Sequence, residues 1–77
     1  MKKVSNNFVA EVTDENIEID VEVHYRCFID EVSALYPMEV SGTIYKGYSL
    51  EDFKNESKKN YEKYYMKVEI VDVFIDL

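Results

Sequence analysis

Tryptophan is absent from this chain, and glycine (two residues), proline, cysteine and histidine (one each) are nearly so. Each shortage closes a class of function. Gly42 and Gly47 alone cannot build a glycine-rich loop that cradles phosphate. A lone Cys27 forms no internal disulfide and suits a reducing cytoplasm. His24 and Cys27 lie three apart in a stretch that reads as a strand, so they point to opposite faces and cannot pair as nucleophile and base or share a metal. No apolar run approaches the length of a membrane span. Met1, Lys2 and Lys3 are followed by Val4, Ser5, Asn6 and Asn7 with no apolar stretch, which is not the pattern of a signal peptide. The expectation is a soluble, cytoplasmic protein that is not an enzyme, with no catalytic residue, no cofactor and no metal. A cation cage built from Glu18, Asp20 and Glu22 is the one metal option, and strand spacing suits a row of charge better than a cage.

Basic residues are also scarce: nine Lys and Arg stand against sixteen Asp and Glu, a net charge of −7. Residues 11–39 hold Glu11, Asp14, Glu15, Glu18, Asp20, Glu22, Asp30, Glu31 and Glu39 against Arg26 alone, whereas residues 46–67 hold six lysines against four acids. An acidic half repels nucleic acid and anionic membranes and attracts basic proteins. Direct nucleic-acid binding is excluded on that ground, because neutralisation of phosphates by Lys and Arg dominates such affinity.

What the chain does contain is apolar and aromatic. Hydrophobic residues make up 47% of its 77 residues, with seven Tyr and four Phe, too many for a disordered chain. A chain of this size sits near the lower limit for a self-sufficient core, so dimerisation or partner binding is expected to supplement it.

The alternation from Ile17 to Cys27 is the clearest pattern. Ile17, Ile19, Val21, Val23, Tyr25 and Cys27 share one face of a strand, and Glu18, Asp20 and Glu22 share the other. Carboxylates two apart in a strand lie about 6.6 Å from each other, similar to the spacing of phosphates along a nucleic-acid strand. The same row also suits a solvated sheet face. A first strand is expected from about Phe8 to Thr13, joined to the acidic strand by a hairpin through the turn formers Asp14, Glu15 and Asn16. Residues 30–37 read as a connection ending at Pro37, and a third strand runs from about Met38 to Tyr45.

Lys46, Gly47, Tyr48 and Ser49 switch the chain into one helix, expected from Leu50 to Tyr64. Ser49 is the N-cap with Asp52 three residues on, and Glu51 complements the helix dipole. Leu50, Phe53, Tyr61 and Tyr64 share its apolar face. In the last strand, about Met66 to Ile75, the parity changes between Ile70 and Val71. Either a bulge sits there or both faces of the strand are covered. The order β-β-β-α-β implies an α+β domain, an antiparallel sheet of about four strands with one helix across a face.

The run Lys46, Gly47, Tyr48, Ser49, Leu50, Glu51, Asp52, Phe53 resembles a segment of the small phage inhibitors of uracil-DNA glycosylase, where Lys-Gly-x-Ser-Leu-x-Asp-Phe likewise leads from a strand into a helix. The order strand, strand, helix, strand is similar too. The resemblance implies a homodimeric DNA mimic that fills the enzyme's DNA-binding cleft and traps an apolar loop residue in an aromatic pocket, with Phe53 as the matching pocket residue. Lys54 and Ser57 depart from the family pattern, which leaves Tyr48, Tyr61 or Tyr65 to complete the pocket.

Three functions are therefore expected in turn. The first is a phage-type inhibitor that occupies the basic cleft of uracil-DNA glycosylase, its partner-binding residues being Glu18, Asp20, Glu22, Asp30, Glu31, Tyr48, Glu51 and Phe53. The second is an anti-CRISPR or other anti-defence inhibitor of a nuclease. The third is a small homodimeric scaffold or accessory subunit whose acidic face is merely solvated.

Overall fold

The computed structural model describes residues 1–35 and 37–77, so Tyr36, within the expected connection, lies outside the described residues. Its elements are β1 (Lys2–Val4), β2 (Ile19–Phe28), β3 (Met38–Ile44), α1 (Leu50–Glu62) and β4 (Lys67–Ile75). All pairings are antiparallel in one four-stranded sheet of order β1-β4-β2-β3, with the helix against one face, an α+β arrangement.

Period-two alternation decides which side of β2 is dry. Val21, Val23, Tyr25 and Cys27 are all fully buried and meet Leu50 and Phe53 of α1, with Ile44, Val68, Val73 and Ile75 from the flanking strands. Full burial of such side chains contributes roughly 1.5–3 kcal/mol each before entropy is counted. The parity change in the last strand is a bulge: the β2–β4 register runs His24↔Asp72 and then Tyr25↔Ile70, which leaves Val71 unpaired. The extra residue restores Ile70 and Val68 to the helix side.

Two glycines are required for different reasons. Gly47 has φ +83° in the turn closed by Tyr48 N–H donating to the Tyr45 carbonyl at 2.8 Å, the position of a type II turn that demands positive φ. Gly42 is needed for space, since a Cβ there would lie 2.6 Å from Cε2 of Phe53. The capping box is present: Ser49 Oγ accepts from Asp52 N–H at 3.1 Å, and Ser49 N–H donates to the Asp52 carboxylate at 3.1 Å.

Several sequence expectations need correction. Residues 8–13 form no strand of the sheet, and there is no N-terminal hairpin. Their backbone is drawn instead to the start of α1, where Leu50 N–H donates to the Ala10 carbonyl at 2.9 Å and Gly47 N–H to Val12 at 3.1 Å. The alternation itself holds, because Val12 is buried and Phe8 and Ala10 pack on the core while Val9, Glu11 and Thr13 are exposed. The first strand is the short Lys2–Val4 at the edge of β4. Ile17 precedes β2 and is exposed, and so is Tyr64, which follows the end of α1.

Lys54 is buried although it lies in the middle of an exposed-looking helix sequence. Its ammonium donates to the Asn6 carbonyl at 2.8 Å and pairs with Glu51 at 3.1 Å, while its own carbonyl accepts from the Tyr25 hydroxyl at 2.9 Å. One residue thus ties the N-terminal segment and the central strand to α1.

Candidate partner-binding face

The sheet face opposite α1 carries no helix or strand among the described residues. Register places its side chains in rows. On β2 stand Asp20, Glu22, His24 and Arg26, ending at Phe28. On β3 these oppose Thr43, Ser41 and Glu39; on β4 they oppose Phe74, Asp72, Glu69 and Lys67. Lys3 of β1 opposes Phe74 and pairs with Asp72 at 3.0 Å.

At the centre, the half-buried His24 ring packs against Phe74 with centroids 4.9 Å apart. Glu22 is held on both oxygens: Oε2 lies 3.0 Å from His24 Nε2, and Oε1 accepts from Ser41 Oγ at 3.2 Å. The His24 contact, assisted by Ser41, holds the Glu22 carboxyl below the usual carboxylate range. Glu39, directly across from His24, places Oε1 3.8 Å from the same nitrogen. Lys67 at 2.9 Å likewise lowers Glu69. The face is thus acidic in balance, with Asp20, Glu22, Glu39, Glu69 and Asp72 interleaved with Lys3, Arg26 and Lys67.

The sequence-predicted binding residues do not form one surface. Asp20 and Glu22 lie on this face, but Glu18 precedes β2, so the expected three-carboxylate stripe is only two residues of strand long before His24 and Arg26 follow. Asp30 and Glu31 belong to the loop beyond the other end of β2, whose ten residues span about 33 Å. There Asp30 Oδ1 accepts from Val32 N–H at 2.9 Å and Ser33 N–H at 2.7 Å, bonds that lower its pKa and fix the loop. Tyr48 and Glu51 sit at the start of α1. The Tyr48 ring stacks on Tyr45 at 5.4 Å and its hydroxyl donates to Glu56, while Glu51 serves Lys54.

Phe53 is the clearest departure. It lies in the core between α1 and β3, its ring over Gly42, and offers no exposed anchor or aromatic pocket to a partner. Tyr61 packs edge-on against Tyr25 at 5.6 Å, with Tyr65 beside it at 6.3 Å, so these rings extend the core. Sequence reasoning missed Glu39, Glu69, Asp72 and Phe74 as neighbours of the β2 acids. Alternation within Met38–Ile44 sets Glu39 on one face with Ser41 and Thr43, but only strand order and the bulge bring the β4 residues alongside.

Among the described residues, no helix is long and apolar enough to cross a membrane. No family model matches the chain, and no curated protein or solved structure matches it.

Proposed function

We propose that this chain is a non-enzymatic binding protein that docks on a basic surface through the uncovered face of its sheet, as a DNA mimic inhibiting a nucleic-acid enzyme in the cytoplasm. The observation that carries the reading is the face itself: Asp20, Glu22, Glu39, Glu69 and Asp72 on three adjacent strands, around a half-buried His24–Phe74 centre. Strands about 4.8 Å apart and same-face residues about 6.6 Å apart set these carboxylates on a rigid grid of the kind that substitutes for phosphates. Charge complementarity raises the association rate, and the apolar centre slows release.

Uracil-DNA glycosylase remains the first target to test, on the resemblance of residues 46–53. With Phe53 in the core, that resemblance speaks for the strand-to-helix turn and not for an aromatic pocket. A CRISPR nuclease or a restriction enzyme presents the same kind of basic cleft. The test is titration of the purified protein into uracil-excision and DNA-cleavage assays of these three enzymes at low and moderate salt. Near-stoichiometric inhibition of one enzyme that weakens as salt rises supports the proposal. No inhibition of any at excess protein refutes it for these targets.

A second reading has its own support. The outer edge of β3 pairs with no strand among the described residues, and its seven residues carry neither Lys, Pro nor a bulge to discourage pairing. Antiparallel pairing of two β3 edges would give a homodimer, which sedimentation across a concentration series detects.

A further inference from the structure

The centre of the open face has donors of two kinds. Register sets His24 directly across from Glu39, and Glu22 lies two residues before His24 on the same face, so two strands deliver three side chains to one point. Glu22 Oε2 and Glu39 Oε1 lie 3.0 and 3.8 Å from His24 Nε2, and the three ligand atoms all fall within 4.8 Å of one another.

We infer that Glu22, His24 and Glu39 form a binding site for a divalent transition ion, zinc foremost. Tetrahedral zinc holds N and O donors at about 2.0–2.1 Å, which separates neighbouring donors by about 3.3 Å. The two separations from Nε2 bracket that value, so a small rotation of the exposed Glu39 carboxylate toward the half-buried Glu22–His24 pair completes the geometry. Two carboxylates and a neutral imidazole balance the ion's charge. The imidazole nitrogen distinguishes the trio from an ordinary acidic patch, since it favours zinc-like ions over calcium or magnesium.

The surroundings orient the donors. Ser41 occupies Oε1 of Glu22 and leaves Oε2 turned to His24, while Phe74 restrains the imidazole ring from the β4 side. Such outer contacts fix ligand orientation in metal sites. Three protein ligands leave the fourth position to water. Glu22 and Glu39 come from strands adjacent in the sheet, so the ion would clip β3 to β2 at the end where the β2–β3 loop enters. This inference stands apart from the docking reading, because its test needs no partner.

The experiment is titration of the intact protein with zinc chloride, followed by calorimetry and thermal melting, with cobalt(II) absorption and His24 15N shifts as ligation readouts. The expected result is one ion per chain, a tetrahedral cobalt spectrum, a shift of the His24 Nε2 resonance, and reversal by EDTA. At a hundredfold excess over the dissociation constant the melting temperature should rise by about 10 °C or more. His24→Gln should lose at least about tenfold in affinity, and Glu39→Gln, a change at an exposed side chain, provides the same test if the first variant folds poorly. Absence of saturable binding to the wild type, or variants that bind zinc as it does, would overturn the assignment.

Discussion

Raising the pH of the wild type beside a Tyr25→Phe variant probes the hydroxyl that Tyr25 buries in the core. Tyr25 is fully buried and donates to the Lys54 carbonyl, and burial pushes its pKa up to about 12 from an ordinary value of 10. The folded state therefore holds the phenol proton after the unfolded state has released it. Stability contributed by this group is complete below pH 10 and is lost as pH rises from 10 to 12, amounting to about 2–3 kcal/mol for a shift of that size. Tyr25→Phe removes the hydrogen bond, at a cost of about 1 kcal/mol, and also removes the titration. Urea denaturation from pH 8 to pH 11.5 should find the variant about 1 kcal/mol less stable at pH 8 and equal to the wild type near pH 11. Above that crossing the variant should be the more stable protein. A gap that stays constant across the whole range would show that Tyr25 ionises freely in the folded state, and the buried Tyr25–Lys54 link would be wrong.

Other expectations rest on single contacts. Gly42→Ala should destabilise by about 1–3 kcal/mol in chemical denaturation by displacing the Phe53 ring, and by clearly less in a Phe53→Leu background. Gly47→Ala should cost about 1–2 kcal/mol, because its φ of +83° is strained for any residue with a Cβ. Lys54→Met keeps the packed stem but leaves the Asn6 carbonyl without its donor, and should lower stability by about 1–3 kcal/mol while making residues 1–10 more sensitive to limited proteolysis.

Much of this architecture was legible in the sequence where local chemistry and periodicity agreed. The β2 alternation, the strand-to-helix switch at Gly47 and the Ser49–Asp52 cap each depend on residues within a few positions of one another. The parity change in the last strand allowed either a bulge or two covered faces, and only its pairing with β2 decides for the bulge. What escaped depends on contacts distant in sequence. Phe8, Ala10 and Val12 alternate as a strand does, but whether their backbone pairs with a sheet or with a helix start is decided by residues 47–50. Lys2–Val4 is too short and too charged to read as a strand, and β4 alone makes it one. Lys54 is buried because Asn6 and Glu51 meet its ammonium, a pairing of which only the Glu51 half lies nearby in sequence.

The candidate site divides in the same way. Asp20 and Glu22 were legible because one strand sets their spacing. Glu39, Glu69, Asp72 and Phe74 join them only through the order β4-β2-β3 and the bulge at Val71. Phe53 was ambiguous between core and anchor, and the absent side chain at Gly42 is what gives its ring a place inside.

The most direct test of the docking face compares two double charge reversals of equal net charge. One, Asp20→Lys with Glu39→Lys, alters the open face; the other, Glu15→Lys with Glu62→Lys, alters exposed acids away from it. Each is treated with EDTA, dialysed free of it, and then titrated against whichever nucleic-acid enzyme the wild type inhibits. The face variant should lose at least about tenfold in apparent affinity, equivalent to about 1.4 kcal/mol, while the control stays within about twofold of the wild type. Equal losses would reduce the effect to overall charge, and undiminished inhibition by the face variant would contradict the docking face outright.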